Sequence, residues 1–315
     1  MKKVVILGGG TGLSTILRGL KYFPLDITAV VTVCDDGKST GILREEFDIP
    51  AVGDLRNVLV SLSEVEPLVE DLLQYRFNTS SDLNNHAVGN LLLTALFNIT
   101  GNLTSAIEAL GKVLNIKGRV LPLTEDKPVL VAHTKDNDII IGESNITKAK
   151  KEIDYIEYKD KITVIPQVIN AIYDADLIIF GIGSLYTSII ANILSDDIKE
   201  ALINSKAKKM HISNVMTQTG ETDNYKVSDC INAINKHIGK NIIDVVISNS
   251  KYIDIDIQNK DNELEKSTPI LLDIEEINKM KIEVIAEELS IIVNGQVRHD
   301  PLKTALSVFA YIMRF

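Results

Sequence analysis

The chain has 315 residues, 45% of them hydrophobic, and a formal net charge of −10. That length and apolar fraction suit one large α/β domain, or two smaller ones, around a real core. The acidic balance and the absence of tryptophan exclude a broad nucleic-acid-binding face, which needs clustered Lys and Arg and aromatic stacking platforms.

The first fourteen residues carry the leading signal. Lys3-Val4-Val5-Ile6-Leu7 reads as a strand buried on both faces, the mark of a parallel sheet. Gly8, Gly9, Gly10, Thr11 and Gly12 then form a turn, and a helix opens at Leu13. A helix N-terminus behind a glycine turn offers free N–H groups and a positive dipole end to an anion, usually phosphate. The pattern departs from the dinucleotide fingerprint Gly-x-Gly-x-x-Gly, because Leu13 stands at the third glycine. NAD is therefore the weaker reading of this turn.

Leu13, Ile16, Leu17 and Leu20 make the apolar face of helix one, and a β-branched strand follows at 27–33. It ends in Cys34-Asp35-Asp36-Gly37-Lys38, where Asp35 and Asp36 could bind a ribose hydroxyl, hold Mg²⁺ or act as a base. The two cysteines, Cys34 and Cys230, have neither disulfide nor zinc spacing, which fits a reducing compartment. No signal peptide precedes the first strand, so the location expected is cytoplasmic.

Gly53-Asp54-Leu55-Arg56-Asn57 leads into a helix reaching about Ser63, with Asp54 as its expected cap. Arg56 in a first turn, where cations are disfavoured, suggests an anion to hold. His86-Ala87-Val88-Gly89-Asn90 opens another helix, and a ligand role and a structural role for His86 weigh about equally. Helix 103–114 follows. From Arg119 to Ile165 short alternating stretches at 120–123, 129–132 and 139–141 read as an antiparallel insertion, with 148–160 a solvated connection.

The parallel pattern then resumes with helix 166–174 and strand 177–180, leading to a second glycine turn, Gly181-Ile182-Gly183-Ser184-Leu185-Tyr186. The uncharged stretch 177–194 resembles a membrane span, but its glycines make strand, turn and helix the better reading. Strand 208–212 runs into the polar loop 213–222, which carries Asn214 and Thr217. Helix 227–236, strand 242–247, a polar excursion at 252–267, strand 291–293 and helix 302–314 complete the chain. Arg298 precedes Asp300 and Pro301, which read as the cap and first residue of that last helix.

Taken together, Gly-Gly-Gly-Thr-Gly-Leu-Ser at 8–14, Asp-Asp-Gly at 35–37, Gly-Asp-Leu-Arg-Asn at 53–57, His-x-x-Gly-Asn at 86–90, Gly-Ser-Leu-Tyr-Thr-Ser at 183–188, Asn-Val-Met-Thr-Gln at 214–218 and Arg-His-Asp-Pro at 298–301 resemble the CofD-like proteins, and within them the YvcK subgroup of gluconeogenesis factors. The resemblance covers nearly the whole chain. It implies a doubly wound, Rossmann-like α/β fold, here a single domain over 1–315 with a β-rich insertion at about 119–165.

The resemblance also implies a nucleotide-sugar ligand of the UDP-N-acetylglucosamine type and a regulatory role in gluconeogenic growth, cell-wall precursor metabolism and cell shape. Gly8 to Leu13, Asn214 to Thr217 and Arg298 would belong to that site. Arg56, Asn57, His86, Asn90, Gly183, Ser184, Leu185 and Tyr186 are further candidates for ligand contact, and a homodimer is a further expectation. The rival is a Mg²⁺-dependent transferase of the 2-phospho-lactate type, with Asp35 and Asp36 as catalytic and metal-side carboxylates. Cys34, Lys38, Val52 and Ile182 depart from the subgroup's usual residues, and Lys38 could neutralise the acidic pair.

Overall fold

The computed structural model describes residues 1–253 and 267–315, apart from the side chain of Lys38. The expected pairing of Lys38 with Asp35 and Asp36, and most of the polar excursion at 252–267, lie outside the described residues.

The strands in chain order are β1 (Lys2–Gly8), β2 (Leu25–Val31), β3 (Arg119–Pro122), β4 (Leu130–Thr134), β5 (Ile139–Ile141), β6 (Ile153–Tyr158), β7 (Leu177–Phe180), β8 (Lys208–Ile212), β9 (Val245–Asn249), β10 (Glu283–Glu287), β11 (Ser290–Val293) and β12 (Gln296–His299). Seven of them form one parallel sheet in the order β10-β9-β8-β7-β1-β2-β3. β4, β5 and β6 form a three-stranded antiparallel sheet, and β11 and β12 an antiparallel hairpin.

The helices are α1 (Gly10–Leu20), α2 (Lys38–Glu46), α3 (Gly53–Leu62), α4 (Pro67–Gln74), α5 (Val88–Thr100), α6 (Leu103–Val113), α7 (Glu143–Ala149), α8 (Pro166–Asp174), α9 (Asp196–Asn204) and α10 (Val227–Ile238), followed by Ile274–Lys279 and the C-terminal helix Pro301–Ile312. Successive strand side chains point to opposite faces, so β1 divides itself between two cores. Val4 and Ile6 join Leu13, Ile16, Leu17 and Leu20 of α1, Leu55 and Leu59 of α3, and Ala305 and Val308 of the C-terminal helix. Val5 and Leu7 join Phe180, Leu185, Tyr186 and Val168 on the other side, where the antiparallel sheet contributes Leu130, Ala132, Ile153 and Ile156.

The strand order places the topological switch point between β1 and β7. From β1 the chain builds outward through β2 and β3, and then returns to lay β7, β8, β9 and β10 on the opposite side. In open α/β sheets a ligand crevice opens at that point, beyond the carboxyl ends of the strands. Here those ends are Gly8 and Phe180, each followed by a glycine turn.

Several expectations are corrected. β3 pairs parallel with β2 and so belongs to the central sheet; the antiparallel part is β4 to β6 alone. The charged run 148–160 holds strand β6, whose Ile153 and Ile156 face the core while charged residues face solvent. β10 adds an edge strand the residue pattern did not signal. Asp54 is not the cap of α3: Val52 stands there, and Asp54 lies in the first turn. Asp300 does cap the C-terminal helix, accepting from the Leu302 and Lys303 amides. Residues 177–194 are strand, turn, one π-helical stretch (Leu185–Ile189) and one 3₁₀ stretch (Ile190–Ile193). Among the described residues no helix is long and apolar enough to cross a membrane.

Candidate functional site

A cavity of about 640 Å³ opens at the switch point. Its walls come from Thr11, Gly12 and Thr15 of α1, Ile182 to Ser184 of the second turn, Asn214 to Thr219 after β8, Thr147 and Lys150 beside α7, and Val297 to His299 of the hairpin. The N-cap of α1 is Gly9, which has no side chain, and Asp54 takes the Gly10 amide, leaving Thr11 and Gly12 of α1 at the cavity. The positive end of the helix dipole therefore borders the cavity there. Gly12 lets α1 touch the second turn: a Cβ there would sit 2.5 Å from the Ile182 carbonyl oxygen and 2.6 Å from the Gly183 nitrogen. Asn214 pins that turn from the other side, donating to the Gly183 carbonyl at 2.7 Å and accepting from its amide at 3.3 Å. Lys150 and Arg298 add two cations to the lining; Arg298, on β12, also donates to Gln296 at 2.5 Å.

Each glycine turn also meets a carboxylate of the chain itself. Asp54 faces the first: a Cβ on Gly9 would lie 2.7 Å from its Oδ2. Burial raises its pKa to about 7, helped by Asp35 and opposed by a hydrogen bond from the Gly10 backbone. Glu221 occupies the helix start of the second turn. It is buried, and it accepts from the Ser184 hydroxyl and, at 3.2 Å, from the Tyr186 amide. Burial raises its pKa against those hydrogen bonds.

Asp35 and Asp36 stand at the end of β2, beside α7. Asp36 accepts from the Ser144 amide at 2.8 Å, and Asp35 from the Gly37 amide at 2.8 Å. Glu143 joins them, its pKa raised to about 7 by burial and by the charges of Asp35, Asp54 and Asp36. Each of Asp35 and Asp36 keeps one carboxylate oxygen outside these backbone hydrogen bonds, the number of carboxylates a Mg²⁺ ion takes when phosphate and water complete its shell. Among the described residues no three His, Cys, Asp or Glu side chains are placed to hold an ion.

The candidates thus separate into groups. Thr11, Gly12, Gly183, Ser184, Asn214, Thr217 and Arg298 line the cavity. Gly8, Gly9 and Gly10 form the turn behind it without lining it, and Gly10 supplies the left-handed φ of +61° the turn requires. Leu13, Leu185 and Tyr186 are core residues. Arg56, Asn57, His86 and Asn90 gather where α3 meets α5, away from the cavity lining. Sequence reasoning missed Lys150 and Glu221: the first sat in a charged run, the second in a polar loop. Cys34 is buried, with its thiol pushed up to about 12 by burial, a core position rather than a nucleophile.

The model of the family described as "2-phospho-L-lactate transferase CofD" matches residues 4–290. The chain belongs to the CofD family. Its CofD-family relatives include the gluconeogenesis factor of Bacillus subtilis, 48% identical over 304 residues and covering 96% of each chain. The gluconeogenesis factor of Halalkalibacterium halodurans is 44% identical over 308 residues, covering 98% of this chain and 95% of that one. The crystal structure of a Bacillus halodurans protein superposes with a TM-score of 0.94 at 43% identity, over 98% of this chain and 99% of that one. Within the CofD family, this chain therefore lies in the gluconeogenesis-factor branch.

Proposed function

We propose that this CofD-family chain binds a nucleotide sugar of the UDP-N-acetylglucosamine class in the switch-point cavity, and acts as a regulator of gluconeogenic growth and cell-wall precursor supply in the cytoplasm. The observation that carries the reading is the meeting of the α1 N-terminus, whose Thr11 and Gly12 border the cavity, with two cations, Lys150 and Arg298, around that one cavity. A diphosphate carries the charge that all three favour. Thr217, Gln218 and Thr219 give the same cavity a polar wall on which a sugar or ribose would rest, its Thr217 hydroxyl fixed by Thr268 and its Gln218 side chain by Glu221. The gluconeogenic role follows the names of the relatives above.

A transferase reading would require a group that activates an attacking hydroxyl. Asp54 and Glu143, poised to exchange protons near neutral pH, are better suited to that than Asp35 and Asp36, which are held by backbone amides. The test is a thermal-shift series with UDP-N-acetylglucosamine, UDP, GDP and NAD, each with and without Mg²⁺. The expected result is a rise in Tm with UDP-N-acetylglucosamine exceeding that with GDP or NAD. A rise confined to NAD, or none with any nucleotide, contradicts the reading.

A further inference from the structure

Outside the cavity, Arg56 is a buried cation with two of its three guanidinium nitrogens without a hydrogen-bond partner. Arg56 is only 5% exposed. Its Nη2 donates to Asn57 Oδ1 at 2.7 Å, whereas Nε and Nη1 are buried with no hydrogen-bond partner. Asp54 and Asp35 act on it through charge alone, and Arg76 opposes them. A guanidinium is always charged, and burying it without a hydrogen-bonded anion is costly, so such groups are seldom kept without a partner.

The position of Arg56 shows where that partner would sit. Residues two apart on a helix face different ways, so Asp54 turns to the first glycine turn while Arg56 turns to α5. Its stem crosses the first turn of α5: a Cβ on Gly89 would lie 2.8 Å from Arg56 Cγ and Cδ. Glycine there lets the Arg56 stem cross the N-terminus of a 13-residue helix whose N-cap, Ala87, makes no side-chain cap. The Val88 and Asn90 amides of that helix already donate to the Tyr75 and Ala87 carbonyls, leaving the Gly89 amide. Asn90, in the same turn, is buried with its Oδ1 unpartnered, and buried His86 meets Ser39 at 3.2 Å through Nδ1. The unpaired Arg56 donors thus lie beside a dipole that attracts negative charge; Asn90 Oδ1, an acceptor, calls for a donor such as a protonated phosphate oxygen.

We propose that Arg56 and the N-terminus of α5 form a second anion site, separate from the switch-point cavity, that takes a phosphate oxyanion. The occupant is either free inorganic phosphate or the phosphoryl group of a small phosphomonoester; both present the oxygens that fit a guanidinium and a helix amide. The segment Phe77 to His86, closed by hydrogen bonds from the Phe77 amide to His86 and from the Asn85 amide to Phe77, immediately precedes this turn. The site does not depend on the nucleotide reading, since none of its residues lines that cavity.

The test compares Tm of the full chain in sodium phosphate and in sodium chloride of equal ionic strength. The wild-type protein is expected to gain a few degrees in phosphate, and Arg56→Gln to lose that gain while melting in chloride no lower than wild type. Arg298→Ala, which alters only the nucleotide cavity, is expected to keep the gain. Glycerol phosphate raising Tm more than phosphate at equal concentration assigns a phosphomonoester; a smaller rise assigns the free ion. No gain in the wild type overturns the proposal, as does a gain that survives in Arg56→Gln or vanishes only in Arg298→Ala. Should Arg56→Gln fail to fold, Arg56→Lys keeps the charge and loses the fork. It should then need at least tenfold more phosphate for the same gain, and an unchanged response overturns the site.

Discussion

The two glycine turns lie side by side beyond β1 and β7, and their helices meet different partners. At the second, a fully buried Glu221 already occupies the helix start, bonded to Ser184 and the Tyr186 amide. At the first, Asp54 covers Gly9 and Gly10 but leaves Thr11 and Gly12 bordering the cavity. The same strand–glycine–helix pattern thus makes one internally neutralised end and one that is open to ligand. A glycine turn announces a place for an anion; it does not say whether the anion is a ligand or the protein's own carboxylate.

The largest effect expected from breaking this asymmetry is at Asp54. Its folded pKa of about 7 stands above the ordinary 3.8, so its contribution to stability is full below pH 4 and lost as pH rises through 7. Asp54→Asn should be more stable than wild type by about 2–4 kcal/mol at pH 8 and by almost nothing at pH 4. Urea unfolding at the two pH values measures this, and an equal difference at both would remove Asp54 from the titration.

Next is the seam between the turns. Gly12→Val would push a side chain into the Ile182–Gly183 backbone, with a loss of about 3 kcal/mol in the same unfolding experiment. A loss under about 1 kcal/mol would mean that the turns need not touch. Arg298→Ala tests the open side. Losing a charge-assisted contact to a diphosphate should weaken UDP-N-acetylglucosamine binding by about 1.5–3 kcal/mol, or tenfold to a hundredfold, with Tm unchanged. Calorimetric titration within twofold of wild type would return Arg298 to the solvent surface. The smallest effect is expected at Asn214→Ala, which frees Gly183 from two hydrogen bonds. It should cost about 1 kcal/mol of stability, and a larger loss would show that the second turn depends on this clamp more than on Glu221.

The sequence resolved the fold where burial dictated residue type. The all-apolar runs of β1 and β7 could be nothing but central strands, and Pro166 and Pro301 marked helix starts that the structure keeps. It failed where one face of an element is solvated. β6 buries Ile153 and Ile156 and packs Tyr158 against the core, with exposed residues between them and a register shift opposite, so no period-two pattern marked it. At the site, the motif residues were legible as a set, but not which of them face the ligand. Leu13 adjoins Gly12, and Leu185 and Tyr186 follow Gly183 by two and three residues, yet all three point into the core, because successive helical positions face different ways. Lys150 escaped notice because its place in the cavity depends on the antiparallel sheet carrying α7 to the switch point, a long-range contact that no local pattern encodes.

The central claim is that the ligand's phosphates meet the first turn and not the second. Backbone amide spectra of the deuterated, ¹⁵N-labelled protein, titrated with UDP-N-acetylglucosamine, address it directly. The amides of Thr11 and Gly12 should shift in proportion to occupancy, while those of Tyr186 and Thr187, already facing Glu221, stay in place. Shifts at Tyr186 and Thr187 with Thr11 and Gly12 unmoved would contradict the account.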